Sequence, residues 1–285
     1  MTNPWLARRV MAYAHQGGSY EGPSSTLHAI RLALDCGASA IELDVHATKD
    51  RQIVVCHDET VERTTNHRGA IASFTLDELR AMDNAYWWIE GATVTHGRDD
   101  GEYLLRSRAP LDRSLAIATL EEVATSFPGV IFNLDIKQTA PDVESYEMLL
   151  AQELRRLEMT SSVMVASFHD DAITAFRVCC PEVATSAATN EVTAFYFSMF
   201  DDGPLVVPPV AAFQVPSRVG DIEVVTERFV EAAHGAGVAV HVWTINEPDE
   251  MGHLVDLGVD AIISDRPSVL VGLLRQRACL WEPEG

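Results

Sequence analysis

Residues 40–58 read AIELDVHATKDRQIVVCHD. Glu42 and Asp44 lie two apart, so on a strand they share one face. Buried apolar strands rarely carry charge unless it is paired or bound to metal. A second apolar run, residues 53–56, follows too closely to leave room for a crossover helix, which needs a dozen or more residues. The two runs therefore form an antiparallel hairpin. A four-residue turn at Lys49-Asp50-Arg51-Gln52 pairs Thr48 with Ile53, His46 with Val55 and Asp44 with His57. That register brings His57 opposite Asp44.

Outward from this hairpin, strand-like runs alternate with helical patterns. They fall at 10–14, 40–46, 130–136, 162–167, 183–187, 210–214, 238–244 and 260–264. Eight such runs predict an α/β fold, a (β/α)8 TIM barrel of parallel strands. Helix ends are marked between them. Pro23-Ser24-Ser25 precedes Leu27, Ile30 and Leu34, and Gly37 follows them. Thr75-Leu76-Asp77-Glu78 and Thr119-Leu120-Glu121-Glu122 fit capping boxes. Val143, Tyr146, Leu150, Leu154 and Leu157 fall on one helical face. Asn246-Glu247-Pro248 opens a helix that Gly258 closes. Residues 83–112, with Tyr86-Trp87-Trp88 and a polar tract, form an irregular insertion after the hairpin. No composition shift marks a boundary, so residues 1–285 read as one domain.

Composition narrows the partners. The 285 residues carry a formal net charge of −21 and are 47% hydrophobic. That charge argues against nucleic acid and against stable association with an anionic membrane. No apolar run is long enough for a membrane span or a signal peptide, and the five cysteines contain no CxxC, so the expectation is a cytoplasmic protein with reduced thiols. Oligomeric state is not legible.

The chemistry-bearing residues sit where strands end. Glu42, Asp44 and Asp135 are three oxygen donors from two strands, suited to one hard divalent cation, Mg2+ or Ca2+. The plainer alternative is that each carboxylate pairs with a base or caps a backbone group. His15 ends the first strand and His57 the hairpin, which suits an acid/base pair. Lys137 shares a face with Asp135, either to bind a phosphate oxygen or to neutralise the carboxylates.

Together the segments resemble the glycerophosphodiester phosphodiesterase family, a barrel family of the phosphatidylinositol-phospholipase-C-like superfamily. The resemblance rests on Glu42-Leu43-Asp44-Val45, Thr48-Lys49-Asp50, Val54-Val55-Cys56-His57-Asp58 and Arg63-Thr64-Thr65-Asn66. It continues through Asn133-Leu134-Asp135-Ile136-Lys137, Ser167-Phe168, Trp243-Thr244-Ile245-Asn246 and Ser264-Asp265-Arg266-Pro267. It implies a divalent metal at Glu42, Asp44 and Asp135, with His15 and His57 as acid and base. It also implies hydrolysis of a small-molecule phosphodiester to glycerol 3-phosphate and an alcohol, with a cyclic phosphate on the way. Gln16, Lys137, Phe168 and Trp243 would contact substrate, although Phe168 and Trp243 are equally readable as barrel packing.

Two departures stand out. The family's His-Arg-Gly is His15-Gln16-Gly17, and its Pro-Glu-Asn-Thr is Pro23-Ser24-Ser25-Thr26. A cation and an anion lost together suggest that the two positions face each other. The third ligand is Asp135 where the family has Glu, and His241 stands where a small or polar residue is usual. Two rival readings follow. One is a lysophospholipase D or sphingomyelinase D-like activity, with Trp87-Trp88 against an acyl chain or merely packed on the barrel rim. The other is a barrel that binds phosphate ligands without turnover.

Overall fold

The computed structural model describes residues 3–6, 10–137 and 146–282. Strands β1 (Met11–His15), β2 (Ala40–Ala47), β4 (Ile131–Ile136), β5 (Val163–Ala166), β6 (Ala184–Thr185), β7 (Ala212–Pro216), β10 (Ala239–Trp243) and β11 (Ala261–Ser264) are all parallel to their neighbours. Their order is β6-β5-β4-β2-β1-β11-β10-β7, and a parallel bridge from Ser186 to Ala212 joins the two ends into a ring. Each of the eight predicted runs overlaps one of these strands, although β1, β2 and β7 run one or two residues past the predicted ends. Strand β3 (Ile53–Val55) pairs antiparallel with β2, and β8 (Arg218–Val219) pairs with β9 (Ile222–Glu223) in a separate small hairpin that the sequence reading lacked.

Helices fill the crossovers: α1 (Leu27–Cys36), α3 (Leu120–Ser126), α4 (Tyr146–Arg156), α5 (Asp170–Cys179), α6 (Thr189–Ser198), α7 (Glu227–Gly235), α8 (Pro248–Leu257) and α9 (Pro267–Gln276). The short α2 (Leu76–Arg80) belongs to the excursion after the hairpin. Both capping boxes form, at Thr75 and Thr119, and Gly37 and Gly258 end their helices in the left-handed region. The N-cap of α1 is Thr26, one residue beyond the expected Pro-Ser-Ser, because its hydroxyl accepts from the Ala29 N–H. Val143 lies outside the described residues.

Alternation along the strands divides the protein into layers. Ile41, Leu43 and Val45 of β2, with Phe132, Leu134 and Ile136 of β4, pack outward against the helices. The opposite faces meet inside the ring. There, Met11, Tyr13, Ala40, Ile131, Met164, Ala212, Ala239, Ala261 and Ile263 form an apolar floor, with Trp5 packed against it. Small residues on several strands make room in the ring for Met11, Tyr13 and Met164. Further along the same faces, at the C-terminal ends, the residues turn polar.

The hairpin differs from expectation by one residue. The pairs are Val45 with Val55, His46 with Val54 and Ala47 with Ile53, so Asp44 faces Cys56, whose N–H donates to the Asp44 carbonyl. The turn holds five residues, 48–52, because Arg51 adopts φ +67 and the Thr48 hydroxyl accepts from the Gln52 N–H. His57 then lies beyond the ladder, where the chain is free to swing it toward β1.

The insertion at 83–112 is mostly turns around a 3-10 turn at Asp100–Glu102. Trp88 is buried and its indole N–H donates to the Ser19 carbonyl. Trp87 donates to the Thr65 carbonyl and stacks on His96 at 4.4 Å. The Trp pair thus packs the rim.

Packing outweighs capping here. Leu134→Ala, fully buried between sheet and helices, is expected to cost about 2–5 kcal/mol, and Thr119→Ala about 1 kcal/mol. Urea denaturation at constant m-value checks this, and equal losses would contradict the layered packing.

Candidate functional site

Parallel register assembles the polar mouth. His15 pairs with Glu42, Glu42 with Asn133, and Asp44 with Asp135 across β1, β2 and β4. A pocket of about 150 Å³ opens there, lined by His15, Glu42, Asp135, Lys137, Phe168 and Trp243 among others. Asp44 is fully buried beneath it. Phe168 is half exposed and meets Trp243 edge-on at 5.3 Å, so it lines the mouth rather than the core.

The two histidines are oriented alike. The His15 Nδ1 lies 2.7 Å from Asp265 Oδ1, and the His57 Nδ1 lies 2.5 Å from Asp58 Oδ1. A carboxylate on Nδ1 sets the tautomer and the ring orientation. The rings stand 6.1 Å apart and nearly perpendicular. Asp265 is itself held by the Ser19 hydroxyl at 2.6 Å and the Asn246 amide at 2.8 Å. Burial alone would lower the His15 pKa. The charge of Glu42 and the hydrogen bond and charge of Asp265 outweigh it and raise the value to about 9.

Positions 16 and 24, where the family charges are absent, do face each other. The Ser24 hydroxyl donates to Gln16 Oε1 at 2.5 Å, and Arg63 Nη2 donates to the same oxygen at 3.2 Å. Arg63 Nε also donates to Asp58 at 2.8 Å. One guanidinium therefore ties the carboxylate behind His57 to the Gln16 amide, whose Nε2 lies 3.3 Å from His15 Nε2. Gln16 adopts φ +52, which aims its backbone N–H at Glu42 Oε2, 3.0 Å away. Gly17 follows because a Cβ there would press on Ala29 and Ile30 of α1 at 3.1–3.2 Å.

The carboxylates are short of positive charge. Lys137 Nζ lies 3.0 Å from Asp44 and 2.9 Å from Asp135, so here it neutralises the carboxylates. Burial nonetheless raises the pKa of Glu42, with the Asp44 charge adding to it, and burial raises that of Asp135 despite Lys137. Asp44 Oδ2 and Asp135 Oδ1 are buried without a hydrogen-bond partner among the described residues. As the side chains stand, no group of three His, Cys, Asp or Glu among the described residues is gathered closely enough to hold a metal ion. The donor set still fits a hard cation in kind: oxygen ligands, excess negative charge and buried lone pairs left unsatisfied.

Several site residues carried only a motif as signal. Asp265, Asn246, Asp58 and Arg63 fall in segments that resemble the family, yet nothing local reveals that Asp265 reaches His15 from 250 positions away. Gln214 was missed altogether. Its amide bridges Asn133 at 2.9 Å and His241 at 3.3 Å on the pocket floor.

Residues 15–269 match the model of the glycerophosphoryl diester phosphodiesterase family. A glycerophosphodiester phosphodiesterase of Caldanaerobacter subterraneus subsp. tengcongensis is 28% identical over 273 residues, covering 94% of this chain and 99% of that one. A protein of the same name from Bacillus altitudinis is 26% identical over 263 residues, 90% of this chain and 94% of its own. Among solved structures, a phosphodiesterase from Oleispira antarctica in complex with the product sn-glycerol-3-phosphate superimposes with a TM-score of 0.68 at 20% identity, covering 94% of this chain and 97% of that one. The last likeness bears on the fold.

Two measurements probe this geometry. In EDTA, the His15 ring should titrate near pH 9 by NMR, and Asp265→Asn should lower the midpoint by about one unit. Because that pKa stands above the ordinary 6.5, charged His15 stabilises the fold below pH 6.5, and the contribution fades as pH rises through 9. An unchanged midpoint in Asp265→Asn would sever the pair. Separately, Gln16→Ala and Ser24→Ala should be non-additive in stability by about 0.5–1.5 kcal/mol, and strict additivity would mean the two side chains do not interact.

Proposed function

The chain belongs to the glycerophosphoryl diester phosphodiesterase family, and from that premise we propose that it hydrolyses glycerophosphodiesters to glycerol 3-phosphate and an alcohol, with a divalent cation and a pair of histidines. The observation that carries this reading is that His15, which lines the pocket with Glu42, Asp135 and Lys137, stands 6.1 Å from His57, and each of the two rings is held by a carboxylate at Nδ1.

Glu42, Asp44 and Asp135 would hold the cation, Mg2+ or Ca2+. When bound it supplies positive charge against the phosphoryl oxygens and relieves the repulsion among its ligands. Lys137, then partly released from the carboxylates, stands at the pocket wall as a second positive charge for a phosphoryl oxygen. Gln16 offers that oxygen an uncharged hydrogen bond.

The histidines move protons in two steps. In the first, one imidazole removes the proton from the substrate's glycerol 2-hydroxyl, whose oxygen attacks phosphorus. The bond from phosphorus to the alcohol breaks, and the other imidazole donates a proton to the departing oxygen. A five-membered cyclic phosphate remains. In the second step the roles reverse: water loses a proton, attacks phosphorus, and the ring opens to glycerol 3-phosphate. Asp58 and Asp265 hold Nδ1 of their imidazoles throughout, which leaves each Nε2 for the proton transfers. The charge of −21 makes free phosphate a poor ligand unless the cation is present.

The test is release of choline and ethanolamine from glycerophosphocholine and glycerophosphoethanolamine. Turnover should disappear in EDTA, return with Mg2+ or Ca2+, and fall by about 10²- to 10⁴-fold in His57→Ala. Turnover that survives both EDTA and His57→Ala would refute the reading.

A further inference from the structure

A groove of about 410 Å³ runs on from the catalytic pocket, and Phe168, Gln214 and Trp243 line both. Its far walls are α6, through Val192 and Phe197, and the β8–β9 hairpin, through Val219 and Ile222. Among the described residues, no charged side chain lines it, in a chain of net charge −21. Phe197, Val219 and Ile222 are 60%, 58% and 52% exposed. Val219 and Ile222 are cross-strand partners, so both side chains stand on one face of the hairpin. Neither belongs to a core cluster, and packing therefore gives no reason for their being apolar.

Glycerol, choline and ethanolamine are polar and have no use for such a wall. We propose that this groove binds a single acyl chain carried by the phosphodiester substrate, a reading that rests on the proposed hydrolysis. Continuity decides the occupant. The groove meets the reaction pocket at the aromatic pair, which lines both, so a chain attached to the reacting group can run directly into it. Its size falls within the range of small-molecule pockets, and its lining is that of an apolar ligand site with a polar anchor at one end. A bilayer is a poorer occupant, since a strongly anionic chain is repelled from anionic lipid. The rim tryptophans take no part: Trp88 is buried and Trp87 is stacked on His96.

An acyl chain can hang from the glycerol, as in a lysophospholipid, or from the alcohol, as in a glycerophospho-N-acylethanolamine. Hydrolysis rates are to be compared for glycerophosphocholine, hexanoyl- and octanoyl-lysophosphatidylcholine, and the hexanoyl and octanoyl N-acylethanolamine diesters, all below their micelle concentrations. In one arm, kcat/KM should rise by up to about fourfold per methylene taken into the groove. The arm that rises tells which end of the substrate bears the chain. The double variant Val219→Asp with Ile222→Asp should flatten that rise while glycerophosphocholine turnover stays as in wild type. Glycerophosphocholine turnover with no gain from a chain in either arm overturns the acyl-chain inference and leaves the proposed hydrolysis standing. Equal losses on every substrate in the double variant also count against the groove. If no diester is hydrolysed in the presence of divalent cation, the proposed function fails and the inference with it.

Discussion

Asp44 and Asp135 are direct neighbours across two parallel strands, and Lys137 Nζ sits within 3.0 Å of both. Like charge held that close inside a barrel is unstable without a cation, because burial removes the water that would screen it. Much of the mouth answers this constraint. Lys137 answers it directly, and its own pKa is driven upward against the cost of burial by Asp44, Asp135 and Glu42. His15 answers it from β1, gaining a proton as Glu42 presses on it. The lone pairs on Asp44 Oδ2 and Asp135 Oδ1 that neither reaches mark where charge compensation is incomplete.

The barrel tolerates this charge because its interior is divided along the strand axis. Small and apolar residues close the floor, so the polar layer has to satisfy only itself. Gln214 of β7 bonds Asn133 of β4 across the ring and His241 of the adjacent β10. Around the mouth, the carboxylates that orient the histidines behave oppositely to Glu42 and Asp135: their pKa values are lowered, since hydrogen bonds from the histidines and their other partners outweigh burial. The site thus contains two kinds of acid, those raised by burial and those lowered by donors. This division suits the first to bind a cation and the second to steer an imidazole.

Legibility followed the range of the interactions. The strand runs and most helix ends were readable because alternation, capping boxes and terminal glycines act over a few residues. Glu42 and Asp44 were seen to share a face for the same reason. The hairpin register slipped by one because it depends on Arg51 adopting a left-handed conformation, held by backbone bonds between Thr48, Arg51 and Gln52 and by the Thr48 hydroxyl. The partnership of Gln16 and Ser24 was suggested by the paired loss of charges, but the arrival of Arg63 at the same oxygen was not. The groove was not legible at all, since its apolar residues come from a helix and a hairpin that look like ordinary surface elements when read alone.

By itself, then, the sequence determined the barrel, the face on which each strand-end carboxylate lies, and the residue types available for cation and proton chemistry. These follow from backbone geometry, where a period of two or of 3.6 residues assigns faces without reference to distant chain. The tertiary structure decided which of those groups touch: Asp265 on His15, Lys137 between two aspartates, Arg63 between Asp58 and Gln16, and an apolar wall beside a polar pocket. Such contacts join segments up to 250 residues apart, and only closure of the ring brings them together.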